Sequence, residues 1–270
     1  MHPVLFKLLW MGREVVISAY GVMMIIALAA GTGITLLVAR KRSFNTADIV
    51  NYCMLVIAGI IFGALLTGYL LFLPERAATR YIDYPTALVS WGGILGGLAA
   101  LVYIAFKRRE RFLVLADIFT PGYLLGLGIG RIGCLFAGCC YGVHTSSCTG
   151  VTFTDPLAPA SAMAQPLVPT QAISAAFLIC AGAVFILPAL KCKAAGFTFS
   201  VSAITYALFR FTIEFWRDDP RLFVFGLSDG QVFSLAYFMM GIGIMVYIFL
   251  TSPPNPLSRG RGRAGGGVRS

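Results

Sequence analysis

Residues 128–142 read GIGRIGCLFAGCCYG and place one arginine, Arg131, in a long apolar run that also holds three cysteines. A charged side chain inside a membrane segment costs a few kcal/mol on insertion scales, so it normally faces a cavity or a partner. Arg131 therefore marks this segment as a candidate functional site in a membrane-embedded protein.

The composition of the rest of the chain is that of an integral membrane protein. Of the 270 residues, 58% are apolar and 12% are charged, whereas soluble domains have about 25% charged residues. Seven stretches are long enough to cross about 30 Å of hydrocarbon, namely 15–39, 52–73, 87–106, 112–140, 172–190, 197–215 and 231–250. We expect an all-α fold with about seven transmembrane helices, forming a single domain over residues 1–251.

The net charge of +10 fits membrane topology better than nucleic-acid binding, because the positive residues cluster after alternate spans. They are Arg40, Lys41 and Arg42 after span 1, Lys107, Arg108, Arg109 and Arg111 after span 3, Lys191 and Lys193 after span 5, and Arg259, Arg261, Arg263 and Arg269 after span 7. With seven spans these clusters share one side, which the positive-inside rule makes cytoplasmic. The N-terminus is then outside, and residues 252–270 form a disordered basic cytoplasmic tail.

The fourth span is rich in glycine and contains Pro121, which predicts a broken helix lining a cavity. Close helix packing through small residues is the alternative interpretation of the same glycines. We favour the cavity because Arg131 lies in this span. The longest loop, residues 141–170, follows on the predicted outer side.

The sixth span places Arg210, Glu214 and Arg217 at i, i+4 and i+7, on one helical face. Arg131 and Arg210, opening from different spans toward the outer face, suit a phosphate group, because guanidinium forks bind phosphate in a bidentate manner. The headgroup of a lipid is the phosphate at that depth. Glu214 then orients an arginine or moves a proton. The alternative is a purely structural Arg210–Glu214 pair.

Further polar residues have both a functional and a structural interpretation. Tyr20 in span 1 either hydrogen-bonds a lipid headgroup or belongs to an interfacial aromatic belt. Gln171, in the PTQ segment before span 5, either contacts substrate or caps the helix, and capping is our expectation. Arg80 and Asp83 fit an ordinary exposed ion pair.

Four cysteines and a histidine form the pattern C-x4-C-C-x3-H-x3-C, which consists of Cys134, Cys139, Cys140, His144 and Cys148. The spacing is not that of a standard zinc site, and vicinal cysteines on a helix point about 100° apart. All four groups of a metal site converge only if the segment folds back on itself. We therefore expect no metal site, and we expect a disulfide between Cys148 and one of the other cysteines.

Several motifs together resemble the prolipoprotein diacylglyceryl transferases. The segment 130–142 resembles that family's GRIGNF signature, and 206–221, YALFRFTIEFWRDDPR, is similar to its FRF and EF motif. HPVLFKL with SAYG, SWGGILGG and PTQ resemble its other motifs, in family order over residues 2–221. The resemblance implies seven spans with the N-terminus outside, in a bacterial inner membrane.

The resemblance also implies an activity. The diacylglyceryl group of phosphatidylglycerol passes to the thiol of a lipobox cysteine in a prolipoprotein, and glycerol phosphate is released. Tyr20, Arg131, Arg210 and Glu214 occupy positions that match the family motifs, where the arginines grip the phosphate and stabilise the leaving group. Beyond phosphatidylglycerol, the prolipoprotein peptide and the bilayer, we expect no nucleic acid, metal or cofactor.

The sequence departs from the family pattern at five positions. Trp91 stands in place of the motif histidine, Cys134 in place of an asparagine, and Cys139 in place of a glutamate. Val168 replaces a second histidine and Ser174 a second glutamate. Two alternatives to an active transferase therefore stay open. One is an altered or inactive relative that binds phospholipid, and the other is a membrane thiol or metal protein that uses Cys134, Cys139 and Cys140.

Overall fold

The protein consists mainly of long helices, shown by a computed structural model that describes residues 3–10, 13–78, 90–218, 223–224 and 226–251. These residues contain the helices α1 (Ala19–Lys41), α2 (Thr46–Ala78), α3 (Ser90–Arg108), α4 (Phe112–Ala137), α5 (Thr170–Lys191), α6 (Phe197–Ile213) and α7 (Asp229–Thr251). Five of them, α1, α2, α4, α5 and α7, are long and apolar enough to cross a membrane. The chain is thus an all-α polytopic membrane protein, while the count of seven spans stays a prediction.

A β-hairpin precedes α1. Strands β1 (Val4–Trp10) and β2 (Arg13–Ser18) pair antiparallel, with Val4 opposite Ser18. The predicted first span began at Val15, four residues before the start of α1 at Ala19. The end of β2 is apolar, so hydropathy alone does not separate it from the helix. Ser18 separates the two elements, since its extended backbone starts the helix and its Oγ accepts a hydrogen bond from the Gly21 N–H at 3.1 Å. A second short pair, β3 (Phe223–Val224) and β4 (Leu227–Ser228), precedes α7.

Helix α4 is continuous, so the prediction of a broken fourth span was wrong. It runs through Pro121 as one helix and ends at Gly138, whose backbone is left-handed (φ 68°). Its glycines let neighbouring helices approach closely. A Cβ on Gly126 would lie 3.0 Å from the carbonyl oxygen of Ala27 in α1, and one on Gly128 would lie 2.8 Å from Ile179 in α5. Close packing through small residues is therefore what these glycines provide.

The basic ends of the helices share one end of the bundle. A buried cluster joins the last turns of α1 and α3 with the first turns of α2 and α4, through Val38, Ile104, Ile49 and Leu115. The adjoining basic residues, Arg40, Lys41, Lys107, Arg108 and Arg111, therefore lie at that end. The start of α1 and the end of α4, with Tyr20 and Arg131, lie at the opposite end.

Asp117 in α4 fixes the start of α6. Its fully buried carboxylate accepts hydrogen bonds from the Gly196 N–H at 2.7 Å and the Phe199 N–H at 2.8 Å. The first N–H groups of a helix have no partner within it, so this carboxylate satisfies donors that would otherwise be buried and unpaired. It thereby orients the helix that carries Arg210.

Several predictions fall on residues outside those that the structure describes. The Arg80–Asp83 pair and the tail at 252–270 are among them, as is the side chain of Trp91, whose backbone begins α3.

Candidate functional site

Tyr20 and Arg131 lie close together because the first turn of α1 packs on the last turns of α4. Gly133 makes this approach possible, since a Cβ there would lie 3.3 Å from Cδ2 of Tyr20 and 3.1 Å from Cβ of Met23. The charge of Arg131 acts on the Tyr20 hydroxyl. The two residues predicted to contact a headgroup thus share one site.

Glu214 is the centre of a polar cluster where α6 ends. The predicted helical face stops at Ile213, and residues Glu214–Trp216 form a 3₁₀ turn instead. Arg210 and Arg217 nevertheless reach the same carboxylate oxygen, Oε2 of Glu214. Arg210 contacts this oxygen directly, and Nη1 of Arg217 lies 3.5 Å from it. Oε1 accepts from the Ser228 hydroxyl at 3.1 Å. The carboxylate is almost fully buried, so these partners compensate its charge.

The two parts of the site form one electropositive cluster. The charge of Arg131 acts on Arg210, and the charge of Arg217 acts on both. Arg131, Arg210 and Arg217 bring three guanidinium groups to the region of the buried Glu214 carboxylate. A phosphate offers the oxygen geometry that guanidinium groups bind best. The arrangement is therefore suited to hold a phosphate ester.

Gly230, at the start of α7, leaves room for this cluster. A Cβ at this position would lie 2.8 Å from Oε1 of Glu214 and 2.9 Å from Nη2 of Arg210. The backbone of α7 thus forms one wall of the ion-pair site, and an added Cβ would displace the Glu214 and Arg210 side chains.

Gln171 does not cap α5, contrary to the sequence-based expectation. Its Nε2 donates to the carbonyl oxygen of Cys139 at 2.8 Å, and the Thr170 hydroxyl donates to that of Cys140 at 2.7 Å. Both side chains are buried at the start of α5. Together they hold the Cys139–Cys140 turn against α5, next to Arg131.

The chain reverses at this turn and brings three thiols together. Gly138 and Cys140 both have left-handed backbone, with φ of 68° and 58°. The Sγ atoms of Cys134, Cys139 and Cys140 consequently lie within 4.8 Å of one another. The chain thus folds back at this turn, but it brings together three thiols and not four groups.

His144 and Cys148 do not join these thiols. The His144 side chain is exposed, with Nδ1 3.1 Å from the carbonyl oxygen of Pro166, and Cys148 is an exposed free thiol. All seven cysteines fall within the described residues and all are free, so the expected disulfide of Cys148 is not formed. The long loop after α4 is instead held together by a small hydrophobic core that includes Tyr141, Phe153 and Leu167.

Some site residues were not predicted as such. Arg217 was placed on the polar face but given no role, and Ser228 and Gly230 were not singled out. The pattern that identifies Arg217 is its i+3 spacing from Glu214. Ser228 lies fourteen residues after Glu214 in the chain. The pairing of β3 with β4 brings it to the carboxylate, and no sequence pattern predicts that pairing.

Comparison with known proteins identifies a family. Residues 3–247 match the family described as prolipoprotein diacylglyceryl transferase. A Clostridium perfringens protein named phosphatidylglycerol–prolipoprotein diacylglyceryl transferase 2 is 36% identical over 237 residues, which cover 86% of this chain and 90% of that protein. Relatives named phosphatidylglycerol–prolipoprotein diacylglyceryl transferase occur in Clostridium tetani (35% identical, 92% of this chain and 97% of the relative) and Dehalococcoides mccartyi (31%, 92% and 94%). On this match over most of its length, the chain belongs to the prolipoprotein diacylglyceryl transferase family.

Proposed function

We propose that this protein transfers the diacylglyceryl group of phosphatidylglycerol to the cysteine thiol of a prolipoprotein lipobox. The meeting of Arg210 and Arg217 on the buried Glu214 carboxylate, with the charge of Arg131 acting on Arg210, carries the proposal. Its relatives bear the name of this activity. A positive site among apolar helices selects a phosphate that is itself attached to acyl chains.

In this proposal the arginines bind the headgroup phosphate and stabilise the negative charge that builds up on it. The thiolate sulfur forms a bond to the terminal glyceryl carbon while the bond from that carbon to the phosphate oxygen breaks. The electron pair leaves with the oxygen as glycerol phosphate, and the thiol proton passes to water before the attack. Positive groups fixed in place before the reaction favour the transition state, where the charge is largest.

Glu214 serves mainly as a positioning residue. Its Oε2 contacts Arg210 and lies 3.5 Å from Arg217, and the Glu214 side chain is buried. It fixes two flexible side chains in the orientation that binds phosphate. Tyr20 adds a hydroxyl beside Arg131, which suits the glycerol part of the headgroup, and Gln171 supports the adjacent turn.

We place the site at the outer face of a bacterial inner membrane. The basic ends of α1 and α3 lie at the end of the bundle opposite Tyr20 and Arg131, and basic residues favour the cytoplasmic side. Prolipoprotein cysteines would then meet the enzyme on the outer side.

The proposal is tested with the purified full-length protein, phosphatidylglycerol labelled in its acyl chains, and a lipobox peptide. The expected result is labelled peptide with a thioether bond and an equal amount of glycerol phosphate. A peptide with serine in place of cysteine is the matched control and should remain unlabelled. Binding of phosphatidylglycerol without transfer to either peptide would instead favour an inactive phospholipid-binding relative.

A further inference from the structure

Three cysteine thiols lie in a geometry close to that of a metal site. The Sγ atoms of Cys134, Cys139 and Cys140 are within 4.8 Å of one another. Zinc binds thiolate sulfur at about 2.3 Å, so tetrahedral ligands lie about 3.8 Å apart. Movements of about 1 Å or less therefore bring the three sulfurs onto one ion.

The backbone of this cluster is held in place from outside. Hydrogen bonds of 2.8 and 2.7 Å run from Gln171 and Thr170 to the carbonyl oxygens of Cys139 and Cys140. The preceding Gly138 packs on the outer loop, since a Cβ there would lie 2.6 Å from Cβ of Ala158. Supports of this kind orient the ligands of metal sites.

Arginine side chains act on the thiol cluster. The charge of Arg131 acts on Cys134 and Cys140, and the charge of Arg217 acts on Cys140. Three thiolates and a divalent ion carry one net negative charge, which the neighbouring arginines offset. Thiolate, not thiol, is the form that binds metal.

We propose that Cys134, Cys139 and Cys140 bind one thiophilic d¹⁰ metal ion of the Zn²⁺ class, with a fourth coordination position open to a thiol. His144 and Cys148 lie outside the cluster, so three protein ligands are supplied, as in metal sites that bind a substrate. Soft sulfur ligands select Zn²⁺ or Cu⁺ over Mg²⁺ or Ca²⁺. Binding releases the thiol protons to water.

The identity of the fourth ligand rests on the proposed function, which brings a peptide thiol to this site. A thiol that coordinates such an ion loses its proton, and the proton passes to water. The metal would thereby supply the peptide thiolate that the transfer needs. The metal site itself rests only on the three thiols and their surroundings.

The site is tested by adding Cd²⁺ as a spectroscopic probe to the reduced full-length protein in detergent. We expect ultraviolet thiolate-to-metal charge-transfer absorption that saturates at one Cd²⁺ per chain and is competed by Zn²⁺. Cys139→Ser and Cys140→Ser should abolish it, whereas the matched variants Cys148→Ser and Cys180→Ser should retain it. No saturable absorption, or equal loss in the matched variants, would overturn the proposal.

A second measurement avoids variants that fail to fold. In the wild-type protein, Cd²⁺ should protect the three clustered cysteines from maleimide, as read by mass spectrometry, while Cys148 is still labelled. Equal labelling with and without Cd²⁺, or a disulfide between two of the three in protein isolated from membranes, would overturn the site.

The open position is tested by adding a lipobox peptide to the Cd²⁺-loaded protein. The cysteine peptide should increase the charge-transfer absorption, and the serine peptide should not. Metal binding without this increase would overturn the open position. Metal and peptide responses in a protein that transfers no lipid would support this inference and contradict the proposed function.

Discussion

At the scale of single residues, Glu214 and Gly230 determine how the arginines are presented. The Glu214 carboxylate receives Arg210, Arg217 and Ser228, and Gly230 lies against the same ion pair without a side chain. A substitution that adds or replaces a single heavy atom at either position should therefore disturb the position or the charge balance of the arginines.

Gly230→Ala should lower the transfer rate about 10- to 100-fold, since an added Cβ would lie 2.8 Å from Oε1 of Glu214 and displace the pair. Gly243→Ala is the matched control on the same helix, because nothing lies within 4 Å of a Cβ built there. The rate is measured at saturating phosphatidylglycerol. Equal rates for the two variants would show that α7 does not confine the ion pair.

Glu214→Gln should destabilise the protein by about 3–5 kcal/mol, because it removes the charge of the buried carboxylate that Arg210 and Arg217 contact. Thermal unfolding in detergent measures the loss. Asp218→Asn, four residues along and exposed, is the control and should leave the Tm nearly unchanged. A Glu214→Gln variant as stable as the wild type would contradict the countercharge role.

At the scale of helices, Asp117 shows how α4 positions α6. Its carboxylate is the cap that α6 lacks locally, because the residue before this helix is Gly196, which has no side chain to offer. The arginine-bearing end of α6 is thus set partly by a residue about 80 positions earlier.

Asp117→Asn should cost about 1–3 kcal/mol of stability, since an amide has one acceptor oxygen and leaves a buried helix N–H unpaired. Asp48→Asn, in the first turn of α2, is the matched control and should cost at most about 1 kcal/mol. Unfolding temperatures of both variants in the same detergent give the comparison. Equal losses would mean that the Asp117 hydrogen bonds add nothing beyond helix-dipole interaction.

The helices were predictable from the sequence to within a few residues where apolar runs end in charge, as α4 and α5 do. Other features depend on contacts distant in sequence. The start of α1 was misplaced because the end of β2 is as apolar as the helix. The glycines of α4 pack against α1 and α5, which the glycine spacing alone does not reveal.

The candidate site was predictable in part for a similar reason. Arg210, Glu214 and Arg217 have helical spacing, so their grouping followed from the sequence, although the helix ends before Glu214. The thiol cluster was not expected, because the helical geometry assumed for Cys139 and Cys140 separates them. The left-handed backbone of Gly138 and Cys140 reverses that separation.

At the scale of the whole molecule, the structure has two different ends. The described basic residues after α1, α3 and α5 lie at one end, and the arginine site, the thiols and the long loop after α4 lie at the other. This asymmetry predicts an orientation in the membrane.

A membrane-impermeant maleimide added to intact spheroplasts should label Cys148, which is exposed in the long loop, and should spare Cys192 after α5. Opening the spheroplasts should make Cys192 at least partly reactive, because it lies at the basic end. Cys148→Ser controls for the site of labelling. Labelling of Cys192 in intact spheroplasts would contradict the orientation with the site outside.

The most direct test of the central claim, that Arg131 belongs to the phosphate-binding site of a transferase, compares Arg131→Ala with Arg111→Ala. Arg111 is exposed and precedes the same helix, on the order of 30 Å away along its axis. The account predicts a loss of transfer from phosphatidylglycerol of about 100-fold or more for Arg131→Ala and a nearly unchanged rate for Arg111→Ala. Wild-type transfer by a folded Arg131→Ala protein would contradict it.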